Sequence, residues 1–99
     1  MFKDYITVEY VENQIQKIST IINNQRLIGD DLENAETFFI EFIEFMKLNS
    51  ISLSGCHFFA SLLKESIEKQ ISLIDAKKLI KYAGIYLSII KKSKKIPIK

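Results

Sequence analysis

The sequence has one cysteine, one proline, three glycines and no tryptophan. A single thiol, Cys56, excludes an internal disulfide. Small secreted domains often depend on such staples, so their absence favours a reducing cytoplasm. A structural zinc site is excluded on similar grounds. It takes about four ligands, mostly Cys and His, and Cys56 and His57 are the sole residues of their types. Gly29, Gly55, Gly84 and Pro97 are the whole supply of strong chain breakers, so a few long elements are expected. The most apolar stretch, Leu79 to Ile90, has 12 residues and contains Lys81. A bilayer span needs about 20 apolar residues, so this stretch reads as a core helix. The opening Met1-Phe2-Lys3-Asp4-Tyr5 has no apolar core of a secretory leader. Glycine-rich phosphate loops and nucleophile elbows are absent. The lone Arg26 offers little for bidentate phosphate recognition.

What is present is apolar and periodic. Of 99 residues, 47% are hydrophobic and 26% charged, with a net charge of +2. That suits one compact domain and not a disordered chain. Val8, Val11, Ile15, Ile18 and Ile22 step by three and four, which predicts a first helix over about 5–24. Gly29 then ends or reverses the chain, and Asp30 with Glu33 resembles a capping box. Leu32, Ala35, Phe39, Phe42 and Met46 repeat the same steps, widened by Phe38 and Phe45, for a second helix over 31–48. The loop Asn49-Ser50-Ile51-Ser52-Leu53-Ser54-Gly55 follows, with Ser52 and Ser54 as N-cap candidates. Phe59, Leu62, Leu63 and Ile67 mark a third helix over 55–69. Ser72 with Asp75 resembles another capping box. Ala76, Leu79, Ala83, Tyr86 and Ile90 mark a fourth helix over 73–92, beyond which lies Pro97.

The pattern predicts an all-α fold: an antiparallel up-down-up-down four-helix bundle over residues 1–92, with a short basic C-terminal tail over 93–99. Clustering of phenylalanines between 38 and 59 centres the core on helices 2 and 3. The competing arrangement has three helices, with helices 3 and 4 continuous or helix 1 detached.

Candidate chemistry is sparse. Neighbours on a helix point about 100° apart, so Cys56 and His57 do not meet as a nucleophile and base. Packing as a small apolar group is the simpler role for Cys56. Glu33, Glu36, Glu41 and Glu44 interleave with the Phe stripe and read as a solvated face. Phe38, Phe39, Phe42 and Phe45 read as core and not as a ligand box. No enzyme activity, cofactor or metal is expected.

Charge is more informative. Residues 1–50 carry 4 Lys/Arg against 9 Asp/Glu, and residues 51–99 carry 10 against 3. Lys91, Lys92, Lys94, Lys95 and Lys99 supply much of the excess, interrupted by Ile96, Pro97 and Ile98. Removing them leaves a mildly acidic bundle with a basic tail. Lysines in a last helical turn offset the helix dipole, and a basic segment is attracted to an anionic lipid surface. The candidate contacts with a partner or membrane are therefore Lys91, Lys92, Lys94, Lys95, Ile96, Ile98 and Lys99, joined by Tyr82 and Tyr86, which stand four apart on helix 4 and either pack together or border a groove. Nucleic acid would use the same lysines, against which stand the acidic first half and the single arginine.

One stretch carries a resemblance. Ser50-Ile51-Ser52-Leu53-Ser54, a helix with Leu62, Ile67 and Lys69, then Ile71-Ser72-Leu73-Ile74-Asp75 leading into Lys77-Lys78-Leu79 resembles the small immunity proteins that protect bacteria from their own pediocin-like (class IIa) bacteriocins. The likeness covers residues 31–90. It implies a cytoplasmic protein that is not an enzyme; the lysine tail adds the expectation of a peripheral place at the inner membrane face. It also implies recognition of a membrane receptor, the mannose phosphotransferase permease, once bacteriocin has engaged it, with specificity in the C-terminal half. The alternative is a phage or plasmid accessory protein that binds nucleic acid or another protein through helix 4 and the tail.

Overall fold

A computed structural model describes residues 6–24, 27, 29–69 and 71–95, with the side chains at 94 and 95 outside that description. Among the described residues there are four helices and no strand: α1 (Val8–Asn23), α2 (Gly29–Leu48), α3 (Leu53–Glu68) and α4 (Leu73–Lys95). They pack as the antiparallel bundle the spacing predicts. Helix α1 lies against α4 and α2, and α3 lies against α2 and α4, which leaves α2 and α4 on a diagonal. The three-helix alternatives fail on two points. Helix α1 packs along α4, and α3 and α4 are separate.

Helix ends follow from particular side chains. Thr7, extended at φ −104° and ψ 168°, caps α1 by accepting from the Tyr10 amide. The helix thus starts three residues later than the apolar spacing alone predicts. Helix α2 starts earlier than expected, at Gly29, whose φ of +58° is open to a residue without Cβ. Asp30 therefore lies inside the first turn and not at its cap, and with Asp31 it sets two carboxylates beside free N–H groups. Of the two serine candidates before α3, Ser52 is the cap, accepting from the Gly55 amide at 3.1 Å. Before α4 the capping box forms in full: Ser72 Oγ accepts from the Asp75 amide at 3.1 Å, and Asp75 Oδ2 accepts from the Ser72 amide at 3.4 Å.

Two ends differ in consequence. Helix α4 runs to Lys95 and not 92, because nothing before Pro97 breaks it and lysines suit its C-terminal turns. Ser93, Lys94 and Lys95 extend α4 and are not tail. Helix α2 closes with a Schellman motif: the Ile51 amide donates to Met46 O at 3.0 Å and the Ser50 amide to Lys47 O at 3.4 Å. Ser50 occupies the left-handed position at φ 65°, a conformation that costs an L-residue roughly 1–2 kcal/mol. Ser50→Gly is expected to stabilise the bundle by about 1 kcal/mol, raising the melting temperature by about 4–8 °C. A thermal melt by circular dichroism checks this, and a fall in the midpoint contradicts it.

The core centres on α2. Phe38, Phe39, Phe42 and Phe45 are all buried, and Phe59 of α3 meets Phe42 at 5.3 Å and Phe39 at 6.3 Å between ring centroids. Helix α4 contributes Ala76, Leu79, Ala83, Leu87 and Ile90, and α1 contributes Val11, Ile18 and Ile22. Ile67, which the spacing assigned to the α3 stripe, is exposed, and Ser66 takes the buried place. Its hydroxyl donates to Leu62 O at 2.9 Å, so no lone polar group is buried there.

Candidate interaction face

Helix α4 carries seven lysines against Asp75, while α2 carries six acidic residues against Lys47. The two helices stand diagonally across the bundle, meeting only through its core, with α1 and α3 on either flank. The positive charge is therefore not confined to a tail. Lys91, Lys92, Lys94 and Lys95 belong to a basic helix that also holds Lys77, Lys78 and Lys81. Linear position hid this, because lysines of α4 separated by ten or more residues still share one straight rod.

The candidate residues fall into three groups. Lys91 donates to Glu12 of α1, so it straps α1 to α4 while staying part-exposed. Lys92 is exposed, and Lys94 and Lys95 continue the helical backbone. Ile96, Ile98 and Lys99 lie outside the described residues. Tyr82 and Tyr86 do not pair with each other; each is half-buried and meets a phenylalanine of α3. Tyr82 lies edge-on to Phe58 at 5.1 Å and 79°. Tyr86 lies edge-on to Phe59 at 6.5 Å and 87°. Gly55 makes room for the loop before α3: a Cβ there would stand 3.0 Å from Ile51 Cγ2 and 3.3 Å from Ser52 Oγ, while the Tyr86 ring would lie at ordinary contact.

Phe58 is the residue that sequence reading missed. It is 45% exposed, while its neighbour Phe59 is fully buried. With Leu53, Ser54, His57 and Ser61 it lines a shallow, largely apolar groove on the outer side of α3. The available signal was its register, one residue off the buried Cys56–Phe59–Leu63–Ser66 stripe. On α4, Ile74, Ile85 and Ile89 are also exposed.

Other sequence candidates do not come together. Cys56 is buried, with its thiol 3.7 Å from Ile51 O, and His57 is exposed. Among the described residues no three His, Cys, Asp or Glu side chains converge as metal ligands. Glu41 accepts from the Tyr10 hydroxyl at 2.7 Å, joining α2 to α1. Among the described residues no helix is long and apolar enough to cross a membrane. No protein-family model matches the chain, and neither a curated protein nor a solved structure does so.

Proposed function

We propose that the chain is an immunity protein: it protects its own cell from a pore-forming class IIa bacteriocin by engaging the bacteriocin-bound membrane receptor from the cytoplasmic side. The resemblance of residues 31–90 names the receptor class, the mannose phosphotransferase permease. The observation that carries the reading is the α3–α4 face, where the Phe58–Tyr82 pair and exposed isoleucines stand on a helix with seven lysines. Exposed aromatic and apolar groups on a rigid scaffold suit recognition of another macromolecule. The bundle supplies the rigidity and the face supplies the contact.

The test is expression in a bacteriocin-sensitive strain and challenge with a panel of class IIa peptides. Protection against at least one peptide is expected. Removal of residues 96–99 is expected to weaken protection while the thermal midpoint stays where it is, since the four described helices are retained. No protection against any peptide overturns the proposal, and full protection by the shortened chain removes Ile96, Ile98 and Lys99 from the candidate contacts. The lysines of α4 also favour a second reading, nucleic-acid binding. That reading requires retention on DNA that falls steeply as salt rises, and no retention at low salt removes it.

A further inference from the structure

We infer that the outward face of α4 docks on an anionic phospholipid surface, with the helix lying along the membrane plane. The inference deepens the reading of the α3–α4 face as an interaction surface and rests on it. Along α4, Ile74, Lys78, Lys81, Ile85, Ile89 and Lys92 recur at steps of three and four, and all six are exposed. They form one stripe that mixes three isoleucines with three lysines and contains no carboxylate. Asp75, the acidic residue of this helix, is engaged in the cap with Ser72. Phe58 of α3 joins the stripe through its contact with Tyr82. The negative groups nearby on packed elements are Glu65 and Glu68, both on α3, and Glu12 on α1, which is bound to Lys91.

This mixture selects its partner. Lysine stems lie along apolar surface while their ammonium groups reach phosphates, and isoleucine and phenylalanine enter the boundary between headgroups and acyl chains. A nucleic-acid backbone has nothing to offer Ile74, Ile85 and Ile89, and the stripe has no arginine for base or phosphate forks. A second copy meeting through the same face would set lysine against lysine. A second copy presenting α2, acidic and with exposed Ile40 and Leu48, matches in charge, but that head-to-tail contact leaves a free face on each end and grows into rings or open chains.

The experiment uses the full chain with vesicles of phosphatidylcholine, with and without phosphatidylglycerol, in co-sedimentation at about 0.1 M salt. Binding is expected with phosphatidylglycerol and not without it. The triple variant Lys78→Gln, Lys81→Gln, Lys92→Gln is expected to bind about a hundredfold more weakly, from about fivefold for each lysine. Ile85→Ser with Ile89→Ser is expected to weaken binding while leaving its salt dependence unchanged. All five positions are exposed, so the variants should keep the wild-type melt. Equal binding to both vesicle types, no binding to either, or a triple variant that binds like wild type overturns the inference, and so does growth to large assemblies without lipid. Protection from bacteriocin without vesicle binding overturns this inference alone, whereas vesicle binding without protection overturns the immunity proposal alone.

Discussion

Replacing Phe42 with alanine is expected to cost the bundle about 3–5 kcal/mol. Phe42 is fully buried and touches rings on every side: Phe38 at 5.9 Å and Phe45 at 5.8 Å along its own helix, and Phe59 of α3 at 5.3 Å. Truncation removes the transfer free energy of the ring and leaves a space that three aromatic neighbours, held by their own helices, fill poorly. A chain of this size has a total stability of about 5–15 kcal/mol, so the loss is a large share of it. Urea denaturation checks the value, with a fall of roughly 1 M or more in the midpoint expected. A loss under 1 kcal/mol would show that the core does not centre on α2. The double-mutant cycle with Phe59→Ala isolates the ring–ring coupling across α2 and α3, expected at about 0.5–1.5 kcal/mol.

Ala83→Glu is expected to prevent folding, while Ser88→Glu on the same helix leaves stability nearly unchanged. Ala83 is fully buried on the Leu79–Ile90 seam, where a methyl group fits. A glutamate there meets both penalties at once. Its extra volume forces the helices apart, at about 1–3 kcal/mol, and its carboxylate loses water without gaining a partner, at several kcal/mol more. Ser88 is exposed on the lysine-rich side of α4. A carboxylate at that position stays solvated and adds an opposite charge, an effect within about 0.5 kcal/mol. Far-UV circular dichroism separates the two: loss of helical signal or of a cooperative transition for Ala83→Glu, and a wild-type transition for Ser88→Glu. A cooperative melt near the wild-type midpoint for Ala83→Glu would mean that α4 does not bury this seam.

Much of the fold was legible in the order of apolar residues. The three-and-four stepping of Val11, Ile18 and Ile22, or of Leu79, Ala83 and Ile90, depends on burial alone, and burial chose those faces. The Ser72–Asp75 cap was legible because both partners are local. Less legible were features in which two choices were close in energy. Asp30 and Gly29 both suit a helix start, and the left-handed freedom of glycine moved the boundary to Gly29. The end of α4 was misplaced because Ser93 and Lys94 neither stop nor demand a helix; only Pro97 constrains the region strongly. Ile67 fits the stepping of α3 yet faces water, since Ser66 satisfies its hydroxyl on Leu62 O and takes the inner place.

The candidate site was legible in composition and not in arrangement. The lysines and the tyrosines were identifiable from sequence. Their placement was not, because it depends on which neighbours α3 offers. Tyr82 and Tyr86 are one turn apart and both half-buried, but Tyr86 meets the buried Phe59 while Tyr82 meets the exposed Phe58. Nothing in the adjacent letters of Phe58 and Phe59 says which will be buried; the register of the whole of α3 decides it.

The diagonal placement of α2 and α4 has an electrical consequence. With a net −5 on one long edge and +6 on the other, the molecule carries a large permanent dipole moment across its short axis, almost hidden by a total of +2. Far from a charged surface it behaves as a nearly neutral particle. Within about a Debye length it experiences a torque. Rotation then precedes attraction, and the protein arrives with α4 leading and α2 turned to solution, whichever way it tumbled before.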